Sequence, residues 1–385
     1  MDFATPEGYE ERKEAARQLA HEHIAPSAAA RDHARRWDPD LFLRMGAAGL
    51  LGAVFPRAYG GEGLSPLEWS ARQEGFGAGG EDAGLALAWS AHTLQCGVPL
   101  WHFGTETQRE RHLPGLCRGE RVGALADGTA ESLSAPAAVR APPLPHGAGW
   151  MLDGQVARVV NAPVASVFVV AAVTDADRGK DGVSAFIVER PTPGLVIGPP
   201  IETLGMRTAL RAEVRFEACE IPAMNRLGAE GTGLTHVLRL ARRWERGAGL
   251  APWIGLLERL FARSLAEARG RSQCGKTLGS FQSVRAVLAD MKIRLELCRR
   301  MQARASWQLG RAGDPNERDA AAAWLFISES ARWIARAALD LHGPAGCGAD
   351  AFPERAYRDT AQLGASGVGN DVLRSIIAGS LVQLG

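Results

Sequence analysis

The sequence predicts a mainly α-helical protein with one β-rich domain in the middle, and three observations carry that reading. Apolar residues recur at helical spacing over about residues 1–120 and again over about 231–385. Between them, over about 121–230, the pattern changes to short β-branched runs bounded by turn residues. A chain of 385 residues is long enough for roughly two or three domains. The two changes of period therefore mark an N-terminal helical domain (1–120), a middle β-barrel or sandwich (121–230) and a C-terminal four-helix bundle (231–385).

In the first region, Glu10 to His23 is amphipathic, with Ala16, Leu19, Ala20 and Ile24 on one face and Pro26 as its stop. Asp38-Pro39-Asp40 has the chemistry of a helix start, and Gly49 that of a stop. Gly60-Gly61-Glu62-Gly63 reads as a turn, because it lacks the strand-to-helix context of a phosphate cradle. Pro66 to Trp101 reads as two buried helices broken near Gly77–Gly80. In the second region, Val167–Val173, Val183–Val188 and Glu213–Cys219 carry strand signals, with glycine-rich turns between them. In the third, helical patterns run from Gly231–Gly233 to about Gly270, from Phe281 to about Leu309, from Glu317 to His342 and from Asp371 to Leu381.

The composition narrows the function. Forty-four basic residues against 43 acidic ones give a net charge of +1, without the basic excess of a dedicated nucleic-acid binder. No apolar run approaches the roughly 20 residues that span a bilayer, and the polar N-terminus has no signal-peptide pattern. The six cysteines are far apart, with no C-x-x-C pair, so free thiols in a cytoplasmic protein and no metal site are expected.

Several strings resemble the acyl-CoA dehydrogenase family, in order, from about residue 10 to 380. They are Gly104-Thr105-Glu106-Thr107-Gln108 with Leu113-Pro114, Val183 to Val188, Leu204-Gly205-Met206-Arg207, Arg271 to Lys276 with Phe281-Gln282, and Glu354 to Asp359. The resemblance implies an α-domain, a β-barrel and a four-helix bundle. It also implies FAD, a tetramer or dimer, and α,β-desaturation of an acyl thioester carried by coenzyme A or an acyl carrier protein. An electron-transfer flavoprotein or oxygen is the implied acceptor.

Such chemistry needs a carboxylate within reach of the α-proton, in a dry site that raises its basicity. Most members place that base after "RD", a position occupied here by Gly367. Isovaleryl-CoA and long-chain acyl-CoA dehydrogenases instead carry it on a bundle helix just before an arginine. The matching pair here is Glu245 and Arg246, in Arg242-Arg243-Trp244-Glu245-Arg246-Gly247. Glu245 is the expected base, and Arg246 is expected to hold the helix and the pocket charge. The competing reading is that Glu245 simply pairs with Arg242, three residues earlier on the same helix face.

The flavin motifs depart from the family pattern. In Leu125-Ala126-Asp127-Gly128-Thr129-Ala130-Glu131-Ser132, Ala126 replaces a threonine while Ser132 is kept. Arg158 and Val160 replace the tryptophan and threonine of "WITN", and Gly369 replaces the threonine of "EGT". Arg271 and Gln282 match residues that reach a neighbour's FAD, Gln273 of the same motif is also kept, and Gly343 and Gly346 keep part of a glycine motif that also holds Asp340. This asymmetry leaves two alternatives: a non-redox thioester enzyme, or a partner subunit of a heteromeric dehydrogenase. His92 and Trp244 are read chiefly as packed core residues.

Overall fold

The computed structural model describes residues 7–129, 138–311, 317–364 and 369–382. Helices α1 (Tyr9–His23) and α2 (Ala25–Ala34) follow one another closely, and Pro26 sits in the first turn of α2 rather than ending α1. Asp38 caps α3 (Pro39–Ala47) through the Leu41 amide, as its position before Pro39 predicts. Helix α4 (Pro66–Gly80) opens on a Ser65–Glu68 capping box. It runs through its glycines and breaks only at Glu81–Asp82, before α5 (Ala83–Ser90). The glycines have a packing role. A Cβ on Gly77 would lie 1.9 Å from the Pro252 carbonyl oxygen, and one on Gly75 or Gly79 would strike the backbone of α1. They let α4 touch two neighbours backbone to backbone.

After α5 the chain widens into a π-helical segment, Ala91–Gly97, before α6 (Val98–Phe103) and α7 (Glu106–Cys117). Single π-turns of this kind are frequent at functional sites, because they rotate side chains out of the regular helical register.

The middle region forms two separate sheets among the described residues, not one closed barrel. One has the order β1 (Gly123–Asp127), β3 (Val167–Val173), β4 (Val183–Glu189), β7 (Arg226–Leu227). The other has the order β2 (Gly149–Val160), β6 (Arg211–Pro222), β5 (Leu195–Ile197). Strand β3 is apolar throughout because both its faces are buried. Val167 and Val169 pack on the N-terminal helices, while Phe168 and Val170 pack between the sheets.

The last region holds α8 (Arg239–Ala248), α9 (Ala251–Gly270), α10 (Gln282–Leu309), α11 (Glu317–His342), α12 (Phe352–Leu363) and α13 (Asn370–Val382). The long pattern expected up to Gly270 is two helices, split at Gly249-Leu250. A short β-hairpin, β8 (Ser272–Gln273) and β9 (Lys276–Thr277), separates α9 from α10. No described helix is long and apolar enough to cross a membrane.

Candidate active site

Helix α8 is sharply two-sided. Ala241, Trp244 and Ala248 are buried, the last two in the core shared with the N-terminal helices, so Trp244 is a packing residue. Glu245 lies at the edge of that face and lines a cavity between α5, the π-helical segment, the α8–α9 corner, α11 and α12. The cavity has about 480 Å³ of empty space, counting its mouth. Its walls are apolar, with Leu87, Ala91, Met206, Leu250, Trp253, Trp324 and Leu363 among them.

Three polar side chains reach this apolar enclosure. Gln95 donates from Nε2 to the Glu245 carboxylate at 2.9 Å. Burial raises the pKa of Glu245 above the ordinary carboxylate value. The Arg246 charge and the Gln95 hydrogen bond offset part of that rise, and Arg242 a smaller part. Ser90 is the third: it is buried, and its hydroxyl has no hydrogen-bond partner among the described residues. A carboxylate made more basic by dry walls and held by one amide is suited to taking a proton from a weak carbon acid.

The competing reading, an ion pair of Glu245 with Arg242, is not found among the described contacts. Arg242 instead meets Asp127 at 2.8 Å, tying α8 to β1. Arg246 turns away from the cavity into a second, larger depression of about 1080 Å³ of empty space. There it lies 3.8 Å from Glu317. Lys180, Arg239, Arg242 and Arg243 share that depression. Neighbours in sequence, Glu245 and Arg246 thus serve different compartments.

The wall opposite Glu245 is fixed from α12. Asp359 accepts the Met206 amide at 2.5 Å, and burial pushes its pKa up to about 7. Arg358 beside it clasps Asp32 at 2.7 Å and Glu354 at 2.6 Å, which locks α2, α12 and the Leu204–Met206 turn together.

The residues expected at a flavin fall into two groups. On the middle domain, Ala126 points between the sheets and is fully buried, so only its backbone is available; Leu125 packs towards α8 and the helices. Arg158 is exposed on β2, near Arg211, and Val160 is half-buried opposite Arg211. Burial, with the Arg158 charge, lowers the pKa of Arg211 to about 10. Its buried Nε has no acceptor among the described residues. On the bundle, Arg271 donates to the His342 carbonyl at 2.9 Å, beside Gly343, whose φ of 59° is the left-handed region that glycine tolerates. Arg271 and His342 border an open cleft of about 1000 Å³ of empty space. Gln273 and Gln282 are exposed, and Gly369 has open space where a side chain would stand. Ser132 and Gly367 lie outside the described residues.

These donors fit FAD in its charged part. The glycine-flanked arginine at an open cleft suits a dinucleotide pyrophosphate, and the orphaned guanidinium donor on β6, opposite Val160, suits a polar group nearer the ring. On the ring side, the hydroxyls lost at Ala126 and Val160 leave backbone groups as the donors at those two positions.

Other sequence candidates resolve simply. His92 is fully buried, accepts the Gly123 amide at Nδ1 and donates from Nε2 to the Leu116 carbonyl, a satisfied core histidine. Asp340 pairs with Arg336 on the exposed side of α11. Gln95 and Ser90 escaped the sequence reading, since nothing in a one-dimensional pattern aims them at Glu245.

Family models for the acyl-CoA dehydrogenase N-terminal, middle and C-terminal domains match residues 6–120, 130–219 and 231–382. The chain is 36% identical, over 90% of each sequence, to the L-prolyl-[peptidyl-carrier protein] dehydrogenase of Pseudomonas fluorescens. Its structure is similar to that of the prolyl acyl carrier protein oxidase AnaB, with TM-score 0.93, 33% identity and coverage of 98% of this chain and all of that one. It is equally similar to PigA with FAD and proline, with TM-score 0.94, 31% identity and full coverage of both chains. From its domain matches and its fold alike, the chain belongs to the acyl-CoA dehydrogenase family.

Proposed function

We propose that this protein catalyses FAD-dependent α,β-dehydrogenation of an acyl thioester carried by a peptidyl carrier protein, with Glu245 as the base. The observation that carries this reading is the Glu245 carboxylate, held by Gln95 at the wall of an apolar cavity. The prolyl-carrier relatives support a small cyclic aminoacyl group as the acyl chain. Six free cysteines agree with a cytoplasmic location.

The thioester carbonyl acidifies the α-carbon, and Glu245 takes the α-proton. Bound FAD supplies the acceptor for the β-hydride, so that the Cα–Cβ bond becomes double. Arg158 and Arg211 on the β2–β6 edge would hold FAD from the middle domain, and Arg271 and Gly343 would reach the phosphates of a neighbour's FAD. The apolar walls keep water from the carbanion-like α-carbon and keep Glu245 basic. Ser90, whose hydroxyl is otherwise unpartnered, is available to a polar substituent on the acyl group. An electron-transfer flavoprotein or oxygen would be the final electron acceptor.

The test is a visible spectrum of the purified chain with FAD, followed by anaerobic addition of a prolyl-carrier thioester. A flavin band that bleaches in the wild type and persists in Glu245→Gln supports the reading. A chain that takes up no FAD, or a Glu245→Gln variant that bleaches at the wild-type rate, rejects it.

A further inference from the structure

We infer that Ser90 recognises a nitrogen on the α-carbon of the acyl group, so that the Glu245 cavity selects an α-amino acyl thioester over its all-carbon counterpart. This rests on the dehydrogenation reading above.

The backbone brings Ser90 to the site. Ser90 ends α5, and the π-helical segment Ala91–Gly97 starts at the next residue. Gln95, which holds Glu245, follows Ser90 by five residues. In a regular α-helix of 3.6 residues per turn that spacing would set the two side chains about 140° apart. Where backbone hydrogen bonds span five residues, it is close to one full turn. The widened helix thus brings Ser90 and Gln95 to the wall of the same cavity, together with Glu245.

The Ser90 hydroxyl is unspent. A buried serine in a helix commonly returns its hydroxyl to the carbonyl four residues earlier. Ser70 in α4 donates in this way to Pro66 at 2.8 Å, and Ser264 in α9 to Leu260 at 2.9 Å. Ser90 is only 7% exposed, and its Oγ has no partner among the described residues. It is the one hydroxyl among the described residues that line the cavity. A hydroxyl held in this way among apolar walls is costly unless something polar meets it.

The chemistry of the site names what meets it. Glu245 takes the proton of the α-carbon, and in an α-amino acyl group the nitrogen is bonded to that same carbon. Whatever holds the nitrogen must therefore stand near the carboxylate, and Ser90 stands one turn from the amide that holds Glu245. Dry walls favour the neutral amine over the ammonium. A hydroxyl matches the neutral form, because it can accept from the N–H or donate to the nitrogen lone pair. Leu87, Leu250 and Trp253 offer apolar surface to the carbon part of the acyl group. A ligand without the nitrogen leaves the hydroxyl buried and unpaired. Such a site rejects that ligand more strongly than a wholly apolar pocket can.

The test uses the full-length, FAD-loaded protein and two unreactive probes. They are the prolyl and cyclopentanecarbonyl amides of a pantetheine arm in which nitrogen replaces the thioester sulfur. Their Kd values are read by calorimetry without turnover, so failure of recognition and failure of dehydrogenation are separate results. The wild type should bind the prolyl amide about tenfold more tightly, or better. Ser90→Ala should erase most of that preference by weakening the prolyl amide alone, with its flavin band intact. If the band is lost, Ser90→Cys serves in its place, being of similar size and a much weaker hydrogen-bonding group. A wild type that binds the two probes alike, or neither, overturns the inference. So does a Ser90→Ala variant that keeps the wild-type preference, or one that weakens both amides equally, which would make the serine a packing residue.

Discussion

The two sides of α8 face different solvents. Glu245 looks into a small cavity walled by leucine, methionine and tryptophan, while Arg246, one residue on, looks into a wide trough of cations. A helix turns about 100° per residue, so adjacent side chains can occupy opposite electrostatic regimes. The difference teaches a division of labour. A proton acceptor gains basicity from dryness, whereas a surface that attracts a charged partner gains reach from exposed charge. Both stand on one helix, which fixes the distance between them.

Four substitutions break or sharpen this comparison. Glu245→Gln keeps the shape of the cavity wall and removes the proposed proton acceptor. Turnover of the thioester should fall about a thousandfold, with FAD uptake intact by absorbance. A fall of less than about tenfold would move the chemistry off the cavity side altogether.

Arg246→Gln tests whether the two sides communicate. The Arg246 charge is the largest influence lowering the pKa of Glu245. Its removal leaves the carboxylate easier to protonate, so the acid limb of the kcat/KM profile should move to higher pH. At neutral pH the loss should be roughly tenfold. Because a pure binding defect lowers kcat/KM evenly across pH, an unmoved limb would show the sides to be electrically separate.

Gln95→Leu acts from the cavity itself. Losing the 2.9 Å hydrogen bond to the charged form also shifts the acid limb upward, by less than Arg246→Gln, with a loss of roughly threefold to fivefold. A downward shift would contradict the geometry.

Asp359→Asn should touch activity least, since the amide oxygen still accepts the Met206 N–H. Its signature is in stability. Buried Asp359 titrates near 7 when folded and near 3.8 in its ordinary state. Between those values the folded chain holds a proton that the unfolded chain has released, so folding loses stability as pH rises from about 4 to about 7. Asp359→Asn should flatten that slope and raise the melting temperature above pH 7 by roughly a few degrees, as calorimetry across this range would read.

How much of this was legible in the chain varies with the element. The helix–sheet–helix order followed from periodicity, and α11 runs over the predicted Glu317 to His342. Strand β1, Gly-Ala-Leu-Ala-Asp, carries too little β-branched character to announce itself, and β2 is interrupted by Asp153-Gly154 and arginine. Helix α12 was read as a motif, not as a helix. Glu245 was found by counting from a motif, because its local string favours a surface ion pair. That pair fails to form because Asp127, 115 residues away in sequence, draws Arg242 to β1.

By itself, the sequence determined the domain order, the family and the identity of a carboxylate at position 245 in place of one at 367, because period and motif spacing are local quantities. The tertiary structure decided what surrounds that carboxylate. Gln95 meets it from a π-helical turn, Met206 walls it through a bond from Asp359, and Arg246 stands on the other side of the helix. Burial and charge at a site are sums over residues distant in sequence, and only folding brings those residues together.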